Sequence, residues 1–402
     1  METKTFFLTS NYYPPHHVGG ACIHAYDLAN TIADMGHEVH VIYSLDWYYL
    51  KKGLAEPKNP YPNNENIILH PIRSPLHSIT AITAYTFGYY YPLSNKMLNI
   101  IKDVKPDVIH HHNITGLGPF ILEANADKVL YTAHDYWLIC QTFNLLRNNR
   151  VPCLKNDKKG NCNICSILCS KPPQVWRNFI NKNKLLRNID SIISPSNFMT
   201  DKLTRSGIPR IETIPNFVSV NKSNDNRYIP EPYFLYVGRL EYSKGIINLI
   251  KSYHKIMNDT ENHLIIAGDG RISVEVRALI NSINKKNKIH FLGRVDNKAK
   301  LDNLYQYAEA VVIPSIWPEN CPLVALEAIS HEVPIIATSS GGLLEIIETT
   351  KAGVLIDNED LVNNNINLLD IDLENARNNS RKFKNYYSKE KYMKKYLALI
   401  DT

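Results

Sequence analysis

The chain has 402 residues, 44% hydrophobic and 21% charged, with a formal net charge of +6. That length exceeds one ordinary core and argues for two domains of roughly 200 residues each. The composition is that of a globular protein with no run of about 18 apolar residues to span a bilayer, and Met1 to Ser10 has the wrong flanks for a signal peptide, so the expected location is the cytoplasm.

In chain order, Thr5 to Ser10 predicts a strand, Gly19-Gly20 a turn, Ala21 to about Met35 a helix stopped by Gly36, and Glu38 to Ser44 a second strand. This is a βαβ unit with glycines where backbone must approach a ligand. Residues 45–66 read as a loop, and Ile67 to Ile72 as a strand. Ile79 to Tyr91, apolar and aromatic, reads as a core helix or as a segment lying on a membrane surface. Pro106 to Asn113 is a strand ending in three adjacent histidines. These alternate faces and so cannot share one metal, and His112 is the candidate to line a cleft. Lys128 to Trp137 is the next strand and its C-terminal end, with His134 at the position where open α/β sheets present ligand-binding groups.

The basic excess is N-terminal: residues 1–222 hold 23 Lys and Arg against 16 Asp and Glu, and residues 223–402 hold 22 against 23. Residues 147–187 alone hold ten cations and one acid, Asp157. Such a face suits an anionic partner, whether lipid head group, diphosphate or nucleic acid, or is simply a solvated insertion. Five cysteines fall in the same region. In a cytosolic setting they do not suggest a disulfide framework, and the spacing of Cys153, Cys162, Cys165 and Cys169 admits a structural zinc, an iron–sulfur cluster or scattered buried thiols.

Ser191 to Asn197 and Ile211 to Asn216 close the first domain, and residues 219–231 have the composition of a linker. Tyr233 to Val237 is then a buried strand running into Gly238, Arg239, Lys244 and Gly245, which places two cations at a strand end before a helix. Leu264 to Gly270 and Ile289 to Val295 are further strand and turn pairs. Ala310 to Ile313 leads to Pro314-Ser315-Ile316-Trp317-Pro318-Glu319-Asn320-Cys321-Pro322-Leu323, with Pro322 at a helix start whose first N–H groups form an anion site. Glu319 and Glu327 flank it, and carboxylates beside a phosphate site suggest sugar hydroxyls.

The string from Pro314 through Glu319-x7-Glu327 resembles the signature of retaining, nucleotide-sugar-dependent glycosyltransferases of family 4, also called group 1, and the resemblance extends along most of the chain. It implies the GT-B fold, an α/β architecture of two Rossmann-like domains facing across a cleft. The domains would be 1–218, carrying a Cys-rich basic insertion at 139–175, and 219–385, with helix 386–402 returning onto the first. It implies that Arg239 and Lys244 clamp a diphosphate, that Glu319 holds hydroxyls of the transferred sugar, and that Glu327 holds the ribose. His134 would contact the sugar near its anomeric carbon. Gly19, Gly20, Gly238, Gly270, Arg294, Val295, Asn320, Cys321, Pro322 and Leu323 would line the donor site.

The implied partners are a nucleoside diphosphate sugar, a glycan or lipid-linked acceptor, and an anionic membrane at its inner face; no nucleic acid is expected. No cofactor is expected for catalysis. Phe217 departs from the family's Pro-Asn-Gly. A sugar-nucleotide epimerase or phosphorylase on the same fold, or a basic Cys-rich nucleic-acid binder, are the alternative readings.

Overall fold

Strand Thr5–Thr9 (β1) buries Phe6, Phe7 and Leu8 completely, as a strand covered by helices on both faces must. The structure is a computed structural model and describes residues 2–54, 56–57, 61–147, 151–153, 159–220, 226–284, 286–369 and 371–401. Part of the expected linker, 221–225, and parts of the basic insertion, 148–150 and 154–158, lie outside the described residues.

Two units are present: Met1–Ile214 with Lys394–Thr402, and Pro215–Met393. In the first, β1 is followed by Glu38–Ser44 (β2), Ile67–Ile72 (β3), Val108–His111 (β4) and Lys128–Thr132 (β5). A short antiparallel pair, Leu146–Arg147 (β6) and Val151–Pro152 (β7), precedes Ser191–Ser194 (β8) and Ile211–Thr213 (β9). Seven strands form one parallel sheet in the order β3-β2-β1-β4-β5-β8-β9.

The second unit repeats the plan with Tyr233–Val237 (β10), His263–Ala267 (β11), Ile289–Gly293 (β12), Ala310–Ile313 (β13), Ile335–Thr338 (β14) and Gly353–Ile356 (β15). Its parallel sheet runs β12-β11-β10-β13-β14-β15. The period of two divides its core: Tyr233 and Leu235 pack with Val311 and Leu326 on one face, Phe234 and Tyr236 with Leu249 and Ile250 on the other. In each sheet the strand order reverses once, at β1/β4 and at β10/β13. That is where an open α/β sheet leaves a crevice at its C-terminal edge.

The strands named in the sequence analysis begin within two residues of their expected positions, whereas β6, β7 and β15 had no expectation there, and residues 45–66 are not all loop. Leu45–Lys52 is a helix capped by the Ser44 hydroxyl, which accepts from Trp47 N–H at 3.3 Å, and stopped by Gly53. Its buried Asp46 accepts from the Tyr90 hydroxyl and from Ser74 N–H, at 2.7 and 2.8 Å. The segment expected to be a core helix or a membrane-facing one packs one face on the core: Ser78–Phe87 buries Ala81, Ala84 and Tyr85 and leaves Ile79, Ile82 and Phe87 exposed.

Candidate active site

Three loops meet at the β10/β13 reversal, and backbone contacts lock them together. After β10, a single 3-10 turn at Tyr242–Lys244 ends at Gly245 in the left-handed region (φ 68°), and helix Ile246–Ile256 begins. A Cβ on Gly245 would lie 1.8 Å from the Pro314 carbonyl oxygen, so only glycine lets the two loops touch. The Ser243 carbonyl accepts from the N–H groups of Ile316 and Trp317, at 2.8 and 3.2 Å. The third loop, after β14, presses on the second: Gly341 (φ 64°) bridges Glu319, and Gly342 N–H donates to the Glu319 carbonyl at 2.7 Å.

This lacing fixes Glu319, which is 3% exposed. One carboxylate oxygen, Oε1, accepts from Lys244 Nζ and from the Ser315 hydroxyl, both at 2.5 Å. The Lys244 ammonium also lies 4.8 Å from the centre of the Trp317 ring, a cation–π contact. Arg239 donates from Nη1 to Glu241 at 3.0 Å. The turn carrying Arg239 is braced from beneath by the buried Tyr236, whose hydroxyl donates to the Arg239 carbonyl at 2.9 Å. A small cavity of about 50 Å³ opens here between Gly238, Lys244, Ser315, Glu319 and Pro322. Both predicted cations thus carry carboxylate partners, and a diphosphate bound here would exchange ion pairs rather than meet bare charges.

Pro322 is the cap of helix Leu323–Ser330 rather than its first residue, and its carbonyl accepts from Ala325 N–H at 3.0 Å. The first-turn N–H groups therefore belong to Leu323 and Val324, two and three residues past Cys321. Burial pushes the Cys321 thiol up to about 12, so it is a neutral packing group. Asn320 is buried beside it, and the Cys321 carbonyl accepts from Asn216 Nδ2 at 3.0 Å. The Asn216–Phe217 departure does no harm to the fold, because Phe217 is buried with its ring 4.8 Å from that of Tyr392.

The other predicted donor-site residues of this unit line the same sheet edge. Gly238 and Gly270 follow β10 and β11, and Gly293 ends β12. Their loops are tied in a row by Leu240 N–H to the Asp269 carbonyl (3.1 Å) and Gly268 N–H to the Gly293 carbonyl (2.8 Å). Arg294 pairs with Asp296 at 2.5 Å, and Val295 packs on the core. Glu327 is half-buried and accepts from the Tyr305 hydroxyl at 2.7 Å.

In the first unit, Gly19 takes positive φ (85°) and Gly20 opens helix Gly20–Asp34. His134 sits after β5 in a buried imidazole cluster. Its Nε2 is 2.9 Å from His112 Nδ1, and its ring centre is 5.2 Å from that of His24. His110 lies against His112, with centroids 4.1 Å apart, while His111 faces the other way onto the Thr9 hydroxyl at 2.8 Å, which is the alternation a strand imposes. His112 is fully buried rather than cleft-lining. Burial pulls His134 and His111 down to about 3 and holds His24, His110 and His112 well below the usual range. At neutral pH His134 can therefore only donate or accept hydrogen bonds, without charge.

The insertion is anchored to this loop by Arg177, which lies over the neighbouring Trp137 and Trp176 rings at 5.0 and 4.6 Å and donates to the Trp137 carbonyl at 2.5 Å. The thiols of Cys140, Cys153 and Cys165 are near enough to Cys162 to add to the burial that raises its pKa. Even so, among the described residues no group of three or more His, Cys, Asp or Glu is arranged to hold a metal. Zinc at Cys153, Cys162, Cys165 and Cys169 thus rests on their spacing alone.

Two parallel, doubly wound sheets in separate units are the GT-B architecture. The solved structures of sucrose-phosphate synthase from Thermosynechococcus elongatus and of Anabaena HepE in complex with UDP-glucose share this fold. The first has a TM-score of 0.69 at 20% identity over 98% of both chains, and the second 0.67 at 15% over 99% of both. The family model for Glycosyltransferase Family 4 matches residues 18–222 and that for Glycosyl transferases group 1 matches residues 220–389. An uncharacterized glycosyltransferase of Methanocaldococcus jannaschii is 31% identical over 352 residues, 86% of this chain and 83% of the relative. The chain belongs to the group 1, family 4 glycosyltransferases.

Proposed function

We propose that this glycosyltransferase moves a sugar from a nucleoside diphosphate donor to an acceptor hydroxyl with retention at the anomeric centre and without a catalytic metal. The observation that carries the reading is the Lys244–Glu319–Ser315 knot at the strand-order reversal, a cation and a buried carboxylate held beside a helix start. Arg239, Lys244 and the N–H groups following Pro322 meet the charge that develops on the leaving diphosphate. Glu319 takes hydroxyls of the transferred sugar, Glu327 takes the ribose, and backbone groups from Gly293 to Val295 take the base. His134 acts on the sugar as a neutral hydrogen-bonding group. The leaving diphosphate accepts the acceptor's proton on the same face, so catalysis is positioning and electrostatics.

The acceptor class we propose is a glycan or lipid-linked sugar of a surface polysaccharide, worked on at an anionic membrane. No helix among the described residues is long and apolar enough to cross a membrane. Support comes from the exposed Ile164, Ile167 and Leu168, a stripe at helical spacing on Lys159–Leu168 within the segment of ten cations. Apolar contact and basic charge together favour anionic lipid.

A panel of nucleotide sugars tests the reaction. One donor should bind, and its consumption should accelerate when acceptor is added. Consumption that ignores acceptor would move the reading to an epimerase. Sedimentation with anionic and neutral vesicles at low and high salt tests the membrane, and equal binding to both or none to either removes it.

A further inference from the structure

Behind Glu327 lies a set of buried polar side chains that the proposed reaction does not use. Helix Lys298–Gln306 carries Asp302 and Tyr305, three residues apart, and helix Leu323–Ser330 with its cap carries Glu327 and His331, four apart. Each spacing puts its pair on one helix face, and the two faces meet. The Tyr305 hydroxyl donates to Glu327 Oε2 at 2.7 Å. The Tyr305 ring lies parallel to the His331 imidazole, 4° from coplanar with centroids 5.5 Å apart. His331 Nε2 is 3.0 Å from Asp302 Oδ1, which Lys298 also holds.

Tyr305 is 0% exposed. Burial first, and then the charge of Glu327, raise its pKa well above the ordinary tyrosine value, so the hydroxyl keeps its proton and is the donor. Burial pushes Asp302 up, but the hydrogen bonds from His331 and Lys298 outweigh it and bring the carboxyl below its usual value. An apolar pair would join two helices at less desolvation cost than a carboxylate held by a buried hydroxyl. A network that fixes one carboxylate rotamer is worth that cost where orientation is the function.

We infer that Tyr305 is a positioning residue for Glu327: its hydroxyl, steadied by the stacked His331 and the Asp302 pair behind it, sets the carboxylate to read ribose hydroxyls. The site thereby discriminates ribonucleotides from 2′-deoxyribonucleotides. This rests on the ribose role proposed for Glu327.

The test is calorimetric binding of UDP, GDP and ADP, each beside its 2′-deoxy form. The ribo-to-deoxy affinity ratio is measured for the wild type, Tyr305→Phe, Glu327→Gln and the double variant. A hydroxyl held by a charged group is worth about 10- to 100-fold in the wild-type ratio. Tyr305→Phe keeps the ring and its stack, and should cut the ratio roughly 5- to 10-fold. It should raise the donor KM with kcat nearly unchanged, because the contact is common to ground and transition states. Glu327→Gln should collapse the ratio, and the double variant should lose nothing further.

A wild-type ratio in Tyr305→Phe beside a collapsed one in Glu327→Gln overturns the positioning inference and leaves the ribose reading standing. An unchanged ratio in Glu327→Gln overturns the ribose reading itself. Absence of binding by all three pairs overturns both. If Tyr305→Phe does not fold, His331→Gln removes the stacked ring and leaves the hydroxyl. It should lower the ratio about threefold, and an unchanged ratio there counts against the inference.

Discussion

Lowering the pH from 7 to 5.5 should strip stability from the unit that contains β1 to β9. Five imidazoles there, those of His24, His110, His111, His112 and His134, are kept neutral by burial, with His111 and His134 drawn down to about 3 and the rest well below the ordinary 6.5. In the unfolded chain each titrates near 6.5. Below that value the unfolded state binds protons that the folded state does not, so stability falls as the pH falls, from about 6.5 downward. Between pH 7 and 5.5 each imidazole contributes a loss of about 1.2 kcal/mol, and five together about 6 kcal/mol. A domain's whole stability is about 5–15 kcal/mol, so much of it should be gone before most carboxylates begin to titrate.

His37 and His70 shift in the same direction, also through burial, which makes five a floor. Urea unfolding followed by circular dichroism at pH 7.5, 6.5 and 5.5 measures the slope. Unfolding at pH 6 should take up about four protons, and His111→Asn should lower that by roughly one. Stability that is flat from pH 7.5 to 5.5, or an uptake below about one proton, would refute the reasoning.

Lys244→Ala and Arg239→Ala should each lower turnover on the order of 10² to 10³ while the protein stays folded, since Glu319 keeps the Ser315 hydroxyl; full transfer activity in either variant removes the clamp. Gly341→Ala places a Cβ 2.2 Å from the Glu319 carbonyl oxygen at φ 64°. It should cost at least about 2 kcal/mol and depress turnover by displacing Glu319, and a variant with wild-type denaturation and activity contradicts the lacing. If the spacing of Cys153, Cys162, Cys165 and Cys169 encodes a zinc site, protein purified without chelator will carry near-stoichiometric zinc, and stripping it will lower the melting temperature. A metal-free protein whose thiols all titrate in the folded state dismisses the site.

Much of the site at the β10/β13 reversal was legible because its signals are local. Arg239 and Lys244 stand at the end of a buried run, and Glu319 and Glu327 bracket a proline-led helix start. Leu45–Lys52 was legible too, since Ser44, Asp46 and Gly53 are an ordinary cap, first-turn acid and stop, but the prolines downstream drew the whole stretch into a loop. Tyr305, Ser315, Tyr236 and Asn216 were given no role by the sequence. Each is a common polar residue whose meaning lies in a partner elsewhere, as far as 105 positions along the chain for Asn216 and Cys321.

The sequence by itself determined the two alternating series of strands and helices, the strand ends at which chemistry can collect, and the family. Those follow from period, burial and turn residues, which act over a few positions. Tertiary structure alone decided that Lys244 and Ser315 share one oxygen of Glu319, that Tyr305 holds Glu327, and that His112 is buried beneath His134 rather than open to a ligand. Such pairings are set by which strand ends the sheet order brings side by side, and a parallel sheet joins strands distant in sequence.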